Sequence, residues 1–189
     1  MKRKLQILLL LSLTCSVSSF GRKTGGVYMN AADYKNNKLS YSDFEHGKSR
    51  IYIHDFFWSM PTVKVLSEGK KYTYRKSELY GFRDRNNDVY RFYNNTEYRI
   101  VEAGNIYIYA QQENIAQSKG YKVVNVYYFS TTADGSILRL TVNNLKSVYH
   151  DNDKFCDLLD QYFGADDVNT YDTKHHTFKV NYVYSKTMK

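Results

Sequence analysis

Thr62-Val63-Lys64-Val65-Leu66-Ser67-Glu68-Gly69-Lys70-Lys71-Tyr72-Thr73-Tyr74-Arg75 is the stretch on which the fold turns. Its period is two. Val63 and Val65 share one face of an extended segment, and beyond Ser67-Glu68-Gly69-Lys70 the tyrosines 72 and 74 alternate with Lys71, Thr73 and Arg75. Successive side chains of a strand point to opposite faces, so this pattern gives each half one apolar and one solvated side. Gly69 can take the positive φ that a tight hairpin needs. The stretch therefore predicts two antiparallel strands joined by a short turn.

Outward from this hairpin the same period runs from Arg50 to Leu140. Ile51-Tyr52-Ile53 is one further strand. Leu79 to Arg83 and Val89 to Tyr93 flank the turn formers Asp84-Arg85-Asn86-Asn87-Asp88. Tyr98 to Glu102 and Ile106 to Ala110 flank Ala103-Gly104-Asn105, and Val123 to Ser130 is joined to Ser136 to Leu140 through Asp134-Gly135, a strong hairpin signal. Gln111 to Gly120 reads as a polar loop or short helix that interrupts the series. No segment between strands offers a helix long enough for a crossover, so the sheet is expected to be antiparallel. Upstream, 31–47 reads as a short helical turn and a loop. Downstream, Asn143 to Tyr149 and Asp153 to Phe163 carry apolar residues at helical spacing, with Asp151 or Asp153 as cap and Gly164 as terminator. A last strand is expected from Thr177 to Tyr184. The fold class is mainly β: an antiparallel meander forming an open barrel or sandwich, with one or two C-terminal α-helices packed on it.

Composition agrees. The 189 residues suit one domain, and 20 Tyr, 10 Phe and 1 Trp favour pleated, half-buried surfaces. Lys2, Arg3 and Lys4 precede the apolar run Leu5 to Leu13 and the small residues Ser16, Ser18 and Ser19, the pattern of an export signal over 1–19 cleaved after Ser18 or Ser19. The run falls short of the ~20 residues of a membrane-crossing helix, so no transmembrane span is expected after cleavage. Cys15 raises lipidation as an alternative, although Ser12-Leu13-Thr14 is a poor match to the residues that precede a lipid-acceptor cysteine. Residues 20–26 read as a flexible lead-in, and 27–189 as a single β-rich domain with a helical segment at 143–164. Losing the leader lowers the net charge from +8 to +5, scattered among acids as on an ordinary solvated surface. A nucleic-acid partner is not expected. Cys156 is left alone, so stability must come from the core; in its helix it reads as a buried packing thiol.

No constellation assigns a reaction. His175 and His176 with Asp166, Asp167 and Asp172 could form a mixed metal site, but adjacent histidines in a strand point to opposite faces, and a solvated loop explains them better. Asp84, Asn86 and Asp88 begin like a calcium loop whose glycine and final glutamate positions hold Val89 and Asn95. No Ser lies in a GxSxG turn. No catalytic residue, metal site or cofactor is therefore assigned.

Aromatics offer the candidate binding residues. Phe56-Phe57-Trp58, with Met60 and Pro61, sets apolar residues in succession where alternation would bury only half of them. Tyr80 and Arg83 with Tyr90 and Arg91 place Arg beside aromatics on one hairpin. These seven residues, Phe56, Phe57, Trp58, Tyr80, Arg83, Tyr90 and Arg91, are the candidate partner-binding set.

Ser77-Glu78-Leu79-Tyr80-Gly81-Phe82-Arg83 with Tyr90-Arg91-Phe92, then Tyr127-Tyr128-Phe129-Ser130, Asp134-Gly135, Leu140-Thr141, Asn144-Leu145-Lys146 and Asp151-Asn152-Asp153-Lys154-Phe155, resembles a family of uncharacterised exported proteins of Bacteroidota. The resemblance implies a periplasmic, outer-membrane-associated or secreted place, and no catalytic residue. The leading expectation is a non-enzymatic envelope protein that binds a partner protein or envelope surface, as in an accessory subunit of an outer-membrane complex. The alternatives are a hydrolase or metal-dependent enzyme using the acidic and His residues near 166–176, and a binder of glycan or lipopolysaccharide.

Overall fold

A computed structural model of the chain describes residues 25–42, 49–52, 60–164 and 167–188. The diagnostic hairpin is present as β3 (Thr62–Ser67) and β4 (Lys70–Arg75), registered from Thr62 opposite Arg75 to Ser67 opposite Lys70. Its two turn residues, Glu68 and Gly69, have φ of 49° and 75°. Positive φ at both positions gives the twist that matches the strands it joins. β2 (Ser49–Tyr52) completes a three-stranded antiparallel sheet in the order β2-β3-β4.

The larger sheet has seven strands: β1 (Gly26–Tyr28), β5 (Gly81–Arg83), β6 (Val89–Tyr93), β7 (Thr96–Ala103), β8 (Tyr107–Gln117), β9 (Gly120–Ser130) and β10 (Leu138–Arg139), neighbours in that order and all antiparallel. A bulge between Ile100 and Glu102 shifts the β7–β8 register. The fold is mainly β and antiparallel, as expected, and the sheet stays open rather than closing into a barrel. Gly81 is required where β5 meets β6, since a Cβ there would lie 1.9 Å from the Tyr90 carbonyl oxygen.

Two different layers cover the large sheet. Over β1, β5 and β6 lies the small sheet, where Val63 and Val65 pack on Val27, Phe82 and Phe92. Over β8 and β9 lie the helices: α2 (Val142–Val148) contributes Leu145, α3 (Asp153–Tyr162) contributes Phe155 and Leu159, and α4 (Lys179–Ser185) contributes Val180 and Val183, all against Ile106, Ile108 and Phe129. A third cluster joins Tyr28, Tyr80 and Ala133 beneath α1 (Ala31–Lys35), the helical turn expected in 31–47. The ribbon β11 (Tyr171–Asp172) and β12 (Thr177–Phe178) leads into α4.

Four expectations are corrected. Gly25 and Gly26, placed within the lead-in, are buried, and β1 begins at Gly26. The loop expected over 111–120 is instead the end of one long hairpin, with Gln117 opposite Gly120 across a two-residue turn. Its polar alternation reflects strands solvated on both faces, which period analysis cannot distinguish from a loop. The strand expected at Thr177–Tyr184 stops at Phe178 and becomes α4, a further short helix after α2 and α3. Phe178, Val180, Tyr182 and Tyr184 fit a period of two, yet the buried set is Val180, Asn181 and Val183, a helical spacing fixed by tertiary packing. The α3 cap is Asn152, whose Oδ1 accepts the Phe155 amide at 3.0 Å, rather than Asp151 or Asp153.

α4 is held by side chains that imitate a strand. Asn181 Oδ1 accepts the Ile106 amide at 2.8 Å and its Nδ2 donates to the Ile106 carbonyl at 2.8 Å, while Glu102 accepts Thr177 Oγ1 at 2.6 Å, the Phe178 amide at 2.7 Å and Asn181 Nδ2 at 2.5 Å. Every buried polar group at this junction finds a partner.

Candidate functional site

Of the seven candidate residues, Phe56, Phe57 and Trp58 lie outside the described residues, as do His46, His54, Asp166 and the 1–19 leader. The other four are divided by the strand geometry. Tyr80 and Arg91 belong to one face of the large sheet and are buried, Arg91 to 5% exposure. Its guanidinium lies 5.7 Å from the Tyr80 ring, 5.5 Å from Tyr93 and 5.8 Å from Tyr109, so three π-faces surround a charge withdrawn from water. Arg91 Nη1 donates to the Tyr109 hydroxyl at 3.1 Å, that hydroxyl meets Ser130 Oγ at 2.8 Å, and Ser130 Oγ donates to the Thr132 carbonyl at 2.6 Å. The chain of donors ends on a backbone acceptor and binds three strands and a turn together.

The phenols of this face are kept neutral. Burial pushes Tyr80 well above its ordinary value and Tyr34, stacked on it at 4.9 Å, up to about 12. Tyr109 is also raised by burial, against the hydrogen bonds from Ser130 and Arg91 that pull it down. Protonated phenols at neutral pH are hydrogen-bond donors rather than nucleophiles or bases. Tyr80 and Arg91 are thus internal supports, not groups a partner can touch.

Arg83 and Tyr90 are half-buried. Tyr90 stacks on Phe82 at 4.7 Å, nearly parallel. Arg83 Nη2 donates to the Tyr28 hydroxyl at 2.5 Å and to Asn37 Oδ1.

His175 and His176 occupy the exposed turn of the β11–β12 ribbon rather than a strand, with His176 at φ 51°. His175 Nδ1 lies 2.7 Å from Asp172 Oδ2, and the imidazole stacks on Tyr182 at 3.9 Å. The contact with His175 holds the Asp172 carboxyl below its ordinary value. Among the described residues no three His, Cys, Asp or Glu side chains gather closely enough to hold a metal ion. Cys156 is half-buried rather than fully buried, its Sγ 3.5 Å from the Tyr149 carbonyl.

The feature that sequence reasoning missed is the far end of β8 and β9. β7 pairs with β8 only as far as Ala110, and β10 pairs with β9 only at Tyr128 and Phe129, with one more bond from the Leu140 amide to the Tyr127 carbonyl at 2.9 Å. The chain then turns away into α2, capped by Thr141. Beyond Ala110 and Tyr127 the two strands continue to Gln117 and Gly120 as an arm. Because Tyr127 directs its carbonyl outward, alternation in the unbroken register directs the backbone groups of Asn125, Val123 and Tyr121 outward as well. Side chains there are solvated although apolar: Tyr121 is 78% exposed, Val123 58% and Ile115 48%. Beside the same edge, where β10 ends, lies a groove of about 340 Å³ whose walls mix the apolar Val124, Val126, Leu140 and Val168 with the polar Asn125, Thr141 and Asn169. The sequence signal was present in the run Val123-Val124-Asn125-Val126, whose β-branched residues outnumber what one buried face requires.

Comparison with protein-family models, with curated proteins and with solved structures returns no match.

Proposed function

We propose that the protein is a non-catalytic binding protein of the cell envelope that captures an extended segment of a partner protein as an added strand on the outer edge of β9. One observation carries this reading: the outward backbone groups of Tyr121, Val123 and Asn125 run beside a groove of mixed polar and apolar lining, Val124, Val126, Leu140 and Val168 among its walls, at the place β10 vacates. Strand addition needs both parts, main-chain hydrogen bonds for affinity and pockets for alternate side chains for specificity. An apolar edge strand left uncovered is an aggregation hazard that proteins otherwise blunt with charge or proline; here only Lys122 interrupts it between Gly120 and Asn125. The leader-like 1–19 segment and the resemblance to exported Bacteroidota proteins support the envelope as the place where the partner is met.

The test is site-specific photocrosslinking in the producing cell with the probe at Tyr121 or Val123, and with Lys71 on β4 as control. A discrete adduct from the arm positions, absent from the control and lost in Val123→Pro, supports the reading. An unchanged adduct in Val123→Pro contradicts it, because proline at that position removes the outward donor.

A further inference from the structure

A second feature lies at the opposite end of the sheet and shares no residue with the groove beside β9. Where β2 approaches the end of β5, an open cleft of about 490 Å³ is lined by Arg50, Arg83 and Arg85, with Tyr52 and Phe82 as its aromatic surfaces and Asp84 as its one acid. Three arginines against one carboxylate is a strong local excess in a chain of mixed charge.

The acid does little to neutralise it. Asp84 Oδ1 is turned into its own loop, accepting the amides of Asn86 at 2.9 Å and Asp88 at 2.8 Å. Among the described residues no carboxylate pairs with Arg50, Arg83 or Arg85. Arg83 donates only to neutral oxygens, those of Tyr28 and Asn37, and its Nε is buried with no acceptor among the described residues. The Tyr28 phenol is itself held neutral by burial, which outweighs the pull of Arg83. A guanidinium fork matches the oxygens of phosphate two at a time, and such charge-assisted bonds are about twice as strong as neutral ones. The volume fits a small organic ligand, and an exposed Tyr52 beside the cations offers a face for its carbon skeleton.

We propose that this cleft binds a phosphomonoester, the phosphate held by Arg50 and Arg85 over the fixed charge of Arg83. Two sources share that chemistry, a soluble phosphate ester and a lipid headgroup, and one experiment separates them. The full chain is titrated with glycerol 3-phosphate by calorimetry, and with phosphatidylcholine vesicles containing phosphatidic acid by co-sedimentation. Arg50 and Arg85 are exposed, so Arg50→Gln and Arg85→Gln leave the core intact; Arg139→Gln, on β10, is the control for general charge. The expected result is saturable binding to at least one probe, weakened about tenfold by each cleft substitution and unchanged by the control. Binding to glycerol 3-phosphate identifies a soluble ester, and binding to vesicles alone identifies a headgroup. Binding to neither probe, or equal weakening by Arg139→Gln, overturns the proposal.

Discussion

The two ends of the β8–β9 hairpin lie on one unbroken ladder and have opposite fates. At the root, Ile108 faces Phe129 across the ladder, and both are sealed under α2, α3 and α4. At the tip, Asn114 faces Val123 and Ala116 faces Tyr121, with nothing over them among the described residues. The difference lies in the rest of the chain: β10 bonds to β9 no further than Tyr127, and Val126 is the last residue of β9 towards the tip that is buried. A strand's burial is set by its neighbours, and one ladder can serve as core at one end and as an open edge at the other.

The sharpest way to break this comparison is to attack the root. Phe155 is fully buried between Tyr149 and Tyr184, with ring centroids at 5.2 Å and 4.9 Å. Phe155→Ala is expected to cost about 4 kcal/mol in urea unfolding through lost burial and the cavity left behind. Asn181→Leu comes next, at about 3 kcal/mol, because it leaves the Ile106 amide and carbonyl without partners and removes a donor from Glu102. A loss of less than 1 kcal/mol there would mean that α4 is held by Val180 and Val183 alone.

Alkali should report on the tyrosine face. Burial raises Tyr34, Tyr128 and Tyr149 from 10.0 to about 12, and Tyr80 further. In the unfolded chain these phenols lose their protons near pH 10, so above that value the folded state binds more protons than the unfolded one. Stability is therefore undiminished below pH 10 and falls as pH rises from 10 towards 12. Absorbance of phenolate followed together with circular dichroism checks this: the buried phenols should ionise with unfolding, and ionisation ahead of unfolding would contradict their burial.

The smallest expected effect is at the tip. Ile115→Ser and Val123→Ser should change unfolding free energy by no more than about 1 kcal/mol, since about half of each side chain stays in water. The same two substitutions should weaken capture of the partner segment in the crosslinking assay.

What could be read in advance follows from the same contrast. The 62–75 hairpin, the 79–93 hairpin, α2 and α3 were legible because each has one buried face, and sidedness is what periodicity records. Of the arm, the strand from Val123 onward was legible, but 111–120 was not, since both faces there are solvated and Gln111, Gln112, Glu113 and Asn114 read as a loop or short helix. α4 was misread because Phe178, Val180, Tyr182 and Tyr184 satisfy a strand period, and only Asn181, bonded to Ile106 far away in sequence, fixes the helix. Arg91 was singled out for standing beside aromatics, which is true, but its register opposite Gly81 and Tyr98 turns it into the core. The arginine cleft joins β2 to the end of β5, two segments whose proximity no local pattern reveals.

Backbone amide exchange measured along the arm in the isolated protein is the most direct test of the open edge. The amides of Gln112, Asn114, Ala116, Tyr121, Val123 and Asn125 point away from the partner strand and should exchange quickly, while those of Glu113, Ile115, Lys122 and Val124 bond across the ladder and should exchange more slowly. That alternation is the predicted result. Uniform protection along 111–126, comparable with that of Ile108 and Phe129, would show the edge already covered and would contradict strand addition there.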